Sequence, residues 1–459
     1  MAYCIWKSYK LKAPAQEVFQ ALSTQQNCFF LDSSLNSCQP QGRYSFLGID
    51  PFFVLKTKNQ EPFQALRELL AKYQLSLPRC APPFMGGAVG YLAYDLGFLL
   101  EDKLNRQSLD DLGIADCFFG FYNTAVIIDH FKKLLHISAL GFPEKTTRLQ
   151  KSLCELNLKK IHNLISRGLS ERKAHKLNLP ERPAELKSNF TRKDYIAAIN
   201  RAKRYIKAGD IYQVNLSQRF QTETGLSASQ IYQKLRAVSP TYFSAYLDCR
   251  DYQIISSSPE RFLKLEQDTA TTRPMKGTRP RFNSKIKNLR FRRELLESEK
   301  DKAELMMIVD LERNDLGRVC AYDSIKVDSL REIEEYNTVF QTTAAISGKL
   351  HKDKDRIDLL RACFPGGSIT GCPKIRAMEI IDELEPHARS IYTGCLGYLS
   401  FSGGMDFNIL IRSMLKIKTA LYFGVGGGIV ADSQAQAEYE ETLVKAKGMI
   451  QAINASPLV

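Results

Sequence analysis

Strand-like and helix-like segments follow one another along this chain without regular strand–helix alternation, and that irregularity constrains its fold most. Parallel sheets need a crossover helix after almost every strand, so the pattern predicts an α+β arrangement. Short strands and turns with some helix fill the first ~140 residues. Within them, Gln64 to Leu75 places Leu66, Leu69, Leu70 and Tyr73 at helical spacing, and Pro83 to Tyr91 reads as a glycine-punctuated strand and turn. Between Lys151 and Lys187 the chain turns polar and basic and reaches Pro180-Glu181-Arg182-Pro183, which predicts a boundary between residues 1–185 and 186–459. A chain of 459 residues has room for two or three such units.

In the second region Thr191 opens a helix with Ile196, Ile199, Ala202 and Ile206 on one face, and Gly209 closes it. Strands are expected at Ile211 to Leu216, Tyr242 to Leu247, Tyr252 to Ser256 and Phe262 to Leu265. One helix is expected from Glu294 to Asp315, then strands near Gly394 to Phe401, Ile409 to Ile417 and Ala420 to Gly424. A last helix should run from about Ala435 to Ile453.

Composition narrows the setting. The N-terminal residues lack a basic-then-apolar signal layout, and no apolar run reaches the roughly 20 residues of a membrane helix. Eleven cysteines occur without a CxxC pair, as reduced thiols in a cytoplasmic protein would. The net charge of +14 admits nucleic acid, an acidic partner or an anionic small molecule. Its densest stretch, Arg279 to Arg293, contains two aromatics, Phe282 and Phe291, too few for a single-strand track. A mobile loop or a docking face is expected there, with no nucleic acid and no membrane.

Several runs carry chemistry. Lys276 lies in Thr272-Arg273-Pro274-Met275-Lys276-Gly277-Thr278-Arg279-Pro280-Arg281, where cationic neighbours could lower an amine pKa and Gly277 could admit a ligand to the backbone. Glu297, Asp301 and Glu304 are spaced by four and three, as are Glu438, Glu441 and Lys445, so each set shares a helix face. Together these rows could hold a hard cation such as Mg2+ through oxygen ligands. Gly424 to Ser433 reads as glycine-rich turns before the last helix. Pro365-Gly366-Gly367-Ser368-Ile369-Thr370-Gly371-Cys372-Pro373-Lys374 reads as an anion-ready loop with Pro373 placed to start a helix.

With these motifs in view, the chain resembles the chorismate-utilising enzymes, and within them the aminodeoxychorismate branch. The resemblance is dense from Ile211-Tyr212-Gln213-Val214-Asn215-Leu216-Ser217 to Ala437-Glu438-Tyr439-Glu440-Glu441-Thr442. Between them lie Ser256 to Phe262, Asp301 to Asp315, Gly367 to Lys374 and Phe407 to Ser413. It is looser over Gly86 to Tyr91 and Tyr94 to Gly97.

The resemblance implies two antiparallel sheets packed face to face under outer helices, with the N-terminal and catalytic regions intertwined. By motif it implies Glu304 and Glu441 as Mg2+ ligands with Glu438 close by, and Arg412 and Tyr392 at the enolpyruvyl carboxylate, helped by backbone near Gly428 and Thr370. Glu260 would be the general acid that protonates the departing C4 hydroxyl. Lys276 would be the nucleophile that separates this branch from the anthranilate synthases, which typically carry alanine there. Gln213 stands where isochorismate and salicylate synthases carry a lysine base, which disfavours water activation. Gln341 stands where much of the family has histidine, so no charged imidazole acts there. Leu31-Asp32-Ser33-Ser34 only partly resembles the tryptophan signature of anthranilate synthases. The implied reaction joins chorismate and ammonia into 4-amino-4-deoxychorismate, on the way to 4-aminobenzoate and folate. The implied partners are a separate glutamine amidotransferase subunit that delivers ammonia and a separate lyase.

Overall fold

The computed structural model describes residues 3–35, 39–78, 80–171, 185–337 and 339–455. Two large sheets, every strand pairing in them antiparallel, dominate the described residues. The first runs, in spatial order, Cys4–Lys10, Leu134–Leu140, Thr124–Asp129, Tyr44–Gly48, Phe29–Asp32, Phe243–Asp248, Gln253–Ser258, Ser413–Ile417, Ala420–Ile429, Gln213–Glu223 and Gly371–Cys372. The second runs Met275–Pro280, Val339–Lys349, Thr269–Arg273, Arg261–Glu266, Met405–Ile409, Cys395–Ser400, Gly87–Leu92, Cys117–Tyr122 and Phe53–Thr57. N-terminal and later strands therefore share both sheets, joined where Phe29–Asp32 pairs with Phe243–Asp248 and where Gly87–Leu92 pairs with Cys395–Ser400.

The period-2 alternation of strand side chains shows how the layers stack. Ile254 and Leu415 face a core shared with Val89, Leu396 and Tyr398 of the second sheet. Their neighbours Ile255 and Met414 point the other way, into a core made with Phe19, Ile161, Ile231 and Met449 of the outer helices. Both faces of the central strands are buried, so neighbouring residues such as Ile254 and Ile255 are apolar on both sides rather than alternating with solvent-facing ones. Among the described residues no helix is long and apolar enough to cross a membrane, and the ten described cysteines are free.

Helix ends explain what the sequence conveys and what it hides. Thr191 caps Arg192–Ala208 by accepting from the Asp194 amide, and Gly209 ends it at φ +85°, as expected. The last helix, Ala435–Ile453, also stands where the periodicity put it. The polar stretch after Lys151 is corrected in part: Thr147–Ser170 is one long helix whose Cys154, Leu158, Ile161 and Ile165 are buried. The prolines 180 and 183 of the expected boundary lie outside the described residues.

Other expectations change as well. The helix expected from Glu294 to Asp315 is two helices, Lys285–Glu297 and Glu299–Gly317. Ser298 ends the first and caps the second by accepting from the Asp301 amide at 3.2 Å, so Glu297 leaves the acidic row. The basic stretch Arg279 to Arg293 is the end of a strand, a short connection and a helix, rather than one loop. Gly424 to Ile429 is the end of a strand rather than a turn, and the strand expected from Ile409 to Ile417 breaks at Arg412, with φ +50°.

One buried ion pair anchors the crossing of these elements. Arg389 meets Glu385 through two nitrogens, at 2.6 and 2.9 Å, and donates to the carbonyls of Ile369 at 3.0 Å and Asn215 at 2.5 Å. Glu385 in turn accepts from the Ser217 amide and hydroxyl. Replacing Arg389 by methionine should cost about 3–5 kcal/mol, because Glu385 would remain buried without its cation. Denaturant unfolding checks this.

Candidate active site

Lys276 lies on the strand Met275–Pro280, held in register by Val339–Lys349 with Lys276 opposite Thr342. The register shifts at Gly277, where φ is +71°. That glycine admits a helix rather than a ligand: a Cβ there would stand 2.9 Å from Leu295 Cδ1 and 3.1 Å from Asp301 Cγ. The Lys276 ammonium donates to the Ser368 carbonyl at 3.2 Å. Burial holds its pKa below the ordinary lysine value against the attraction of Glu304 and Glu260, and Lys445 assists. The arginines expected to do this are engaged elsewhere. Arg273 pairs with Glu334 at 2.8 Å, Arg279 with Asp301 at 2.8 Å, and Arg281 donates to the Tyr336 carbonyl.

Glu260 is 4% exposed and begins the turn into the strand Arg261–Glu266. Burial pushes its carboxyl up to about 7, against the Ser368 hydroxyl bond and the nearby charges of Lys276 and Arg412. Ser368 donates its hydroxyl to Glu260 Oε1 at 2.7 Å while its carbonyl accepts from Lys276. One residue of the loop after Pro365 thus holds an amine and a carboxyl together. Nothing in the sequence marked Ser368 apart from its neighbours, because the contact is made across 92 residues in one case and 108 in the other.

The carboxylates gather beside this pair. Glu304 lies on Glu299–Gly317, while Glu438 and Glu441 lie on Ala435–Ile453. The Lys300 ammonium stands 3.8 Å from Glu304 and 3.9 Å from Glu438, so two carboxylates share one cation. Ser433 fixes Glu438 by donating to Oε1 at 2.7 Å. Glu441 pairs with Lys445 at 2.8 Å. Burial raises the Glu304 carboxyl pKa; burial also opposes Glu441, but Lys445 outweighs it and brings Glu441 below the usual range.

Among the described residues no cluster of three or more metal-ligating side chains is formed. Carboxylates that already share one cation fit a hard ion bound by one or two protein oxygens, with the rest of its shell from water and substrate.

Other expected residues divide into two groups. Gln213 is fully buried and neither end of its amide is bonded. A Cβ at Gly428 would lie 2.8 Å from Gln213 Nε2 and 3.6 Å from Lys276 Nζ, so Gln213, Gly428 and Lys276 meet at one point. Gln341, one residue before the partner of Lys276 on the paired strand, stands opposite Thr278, its Nε2 on the Thr278 hydroxyl at 3.3 Å and its oxygen buried and unbonded. The Arg412 guanidinium makes no ion pair with a described residue, and burial lowers its pKa against the pull of Tyr336 and Glu260. Such unpaired buried polar groups are where a polar ligand belongs.

Thr370 and Tyr392 are placed differently. The Thr370 hydroxyl bonds back to the Gly366 and Gly367 carbonyls, and its own carbonyl accepts from the Asn215 amide at 2.7 Å. Tyr392 is buried over Gly424, where a Cβ would meet its ring at 2.4 Å, and its ring lies 5.9 Å from Arg389. The partial signature residue Asp32 is engaged by Arg236 at 2.6 Å and by the Tyr232 hydroxyl at 2.9 Å.

A buried amine beside a protonated carboxyl, with a row of carboxylates and an unpaired arginine, suits attack on an anionic carbon compound that loses a hydroxyl. Comparison with known proteins identifies the family. Residues 27–451 match the family model described as chorismate binding enzyme. Aminodeoxychorismate synthase component 1 of Salmonella typhimurium is 38% identical over 435 residues, covering 91% of each chain. Anthranilate synthase component 1 of Acetivibrio thermocellus is 35% identical over 477 residues, covering 97% of this chain and 96% of that one. The crystal structure of anthranilate synthase component I from Streptococcus pneumoniae superposes with a TM-score of 0.79 at 31% identity, over 91% of this chain and 94% of that one. The chain belongs to the family of chorismate-binding enzymes.

Proposed function

We propose that this chain is the large component of an aminodeoxychorismate synthase, a transferase that converts chorismate and ammonia to 4-amino-4-deoxychorismate. The observation that carries the reading is the Lys276 amine, held below its ordinary pKa and joined through Ser368 to Glu260, whose carboxyl retains a proton to about pH 7. Attack requires a neutral amine, and departure of hydroxide requires a donor. Lys276 bonds to C2 of chorismate, the diene shifts, and the C4–O bond breaks as Glu260 supplies the proton and water leaves. Ammonia then bonds to C4, the diene shifts back, and the C2–N bond breaks to return the lysine amine. Arg412 receives a substrate carboxylate with its planar fork. Gln213 closes the pocket beside the lysine without offering a base that could activate water.

Glu304 and Glu441 are the residues that would hold Mg2+, with Glu438 close by. Bound there, the ion would supply positive charge to offset the ring carboxylate of the substrate. The partner in this reading is a glutamine amidotransferase subunit, and the product serves 4-aminobenzoate and folate synthesis in the cytoplasm.

The second reading is anthranilate synthase component I, because relatives of that name match about as well. Incubating the purified chain with chorismate, Mg2+ and ammonium separates the two. The expected product is non-fluorescent, retains the enolpyruvyl group, and yields 4-aminobenzoate when lyase is added. Fluorescent anthranilate with free pyruvate would replace the first reading by the second.

A further inference from the structure

The helix Lys285–Glu297 buries little of itself. Leu295 is its one buried residue, with Phe291 partly buried on the same side. At about 100° per residue, Ile286, Leu289 and Leu296 fall on the opposite side within roughly a quarter turn of one another. They are 82%, 68% and 44% exposed. The strand Lys326–Glu335 is tied to this helix where Arg331 donates to the carbonyls of Leu295 and Leu296. Scattered exposed leucines are ordinary, but a one-sided helical stripe is the anchor pattern of a helix that fits a groove.

Charge frames the stripe. Lys285 and Arg292 flank it on one side and Arg290 on the other, while Arg293 falls within it, between Leu289 and Leu296 along the helix. Arg290 pairs with Glu294 and Arg292 with Glu335, whereas Lys285 and Arg293 make no ion pair with a described residue. The complementary surface is an apolar groove with an acidic rim. The stripe is aliphatic, so it offers no stacking platform for bases.

Position identifies the occupant. Helix and reacting lysine belong to one continuous piece: the buried Leu295 rests against Gly277, next to Lys276. A protein on the outer face of this helix sits about one helix diameter, ~10 Å, from the strand that carries the amine. Ammonia delivered there has little distance in which to be protonated or lost.

We infer that the Ile286–Leu289–Leu296 stripe is the docking face for the glutamine amidotransferase subunit, received in an acidic-rimmed apolar groove of that partner. The inference rests on the reading of the site as ammonia-consuming. Docking here also gives the partner a mechanical route to Lys276, through Leu295 and Gly277.

The test uses the full chain with the glutamine amidotransferase subunit from the same organism, co-purified, and the double variant Ile286→Glu/Leu289→Glu. Complex formation is read by sedimentation, and turnover is read separately with glutamine and with ammonium ion. The variant should weaken the complex by at least about a hundredfold, since two central apolar anchors are replaced by charges an acidic rim repels. Glutamine-dependent turnover should fall in step while ammonium-dependent turnover is unchanged, which also shows that the variant is folded. Lys285→Glu/Arg293→Glu should slow association without altering the ammonium rate.

A complex and a glutamine rate unaffected by both variants overturn the inference. So does a self-associated wild-type chain that the apolar variant makes monomeric, or loss of binding to anionic vesicles with the protein complex intact. Absence of ammonium-dependent product in the wild type would instead remove the proposed function beneath it.

Discussion

On the proposed function, replacing Lys276 by alanine should abolish 4-amino-4-deoxychorismate formation, a loss of at least about a thousandfold for removal of a covalent nucleophile. Arginine at the same position is no rescue, because its guanidinium stays protonated and cannot attack carbon. A charge-only role would survive that exchange, so the pair of variants separates nucleophile from counter-ion. Intact-protein mass gives an independent readout. With chorismate and Mg2+ but no ammonia, the wild-type chain should gain the mass of chorismate less one water, and the alanine variant should gain nothing. An alanine variant that still makes aminodeoxychorismate at the normal rate would remove the covalent route. One that makes anthranilate instead would show that the lysine diverts a shared site between two outcomes.

Replacing Glu260 by glutamine produces opposite changes in activity and stability. Activity falls by about a hundredfold to ten-thousandfold, the usual range for loss of a positioned acid. In the proposed route the productive form pairs a neutral Lys276 with a protonated Glu260. It carries the same number of protons as the ion pair between them, so the rate should plateau between two macroscopic pKa values and fall as pH rises through the upper one. For stability, the folded Glu260 carboxyl at about 7 lies above its unfolded value of 4.5. The folded state therefore binds more protons, and stability declines as pH climbs from about 4.5 to about 7. Above pH 7 the accumulated penalty is about 3 kcal/mol. The glutamine variant escapes it, so it should be the more stable protein at pH 8 and show little of that gain near pH 4. Thermal unfolding at the two pH values checks the sign.

Much of the site is legible because its chemistry is local in sequence. Lys276 and Glu260 sit in recognisable runs, and the caps at Thr191 and Gly209 mark a helix end to end. What escapes the sequence depends on partners far along the chain. Ser298 serves as the end of one helix and the cap of the next, and the helix-forming residues on either side conceal the break. Gly424 to Gly428 resemble a turn by composition, yet they are strand. Removing the side chains there gives room to the Tyr392 ring at one end and to Gln213 and Lys276 at the other. The cations beside Lys276 look ready to lower its pKa until the structure gives Arg273 and Arg279 carboxylates and Arg281 a backbone carbonyl, leaving burial as the main cause. Ser368 and Arg389 become visible only when the loop after Pro365 is folded over the strand Gln213–Glu223.

The pairing of early strands with late ones sets a timetable for synthesis. On the ribosome, Phe29–Asp32 has one edge covered by Tyr44–Gly48 within seconds, but its other edge waits for Phe243–Asp248. At roughly 5–20 residues per second that wait lasts on the order of 10–40 s, and Gly87–Leu92 waits longer still for Cys395–Ser400. Throughout, open strand edges bearing Phe29, Phe30, Val89 and Tyr91 are available to any neighbouring nascent chain. The strand order thus leaves these edges unpaired until the middle and the last third of the chain, respectively, have been made.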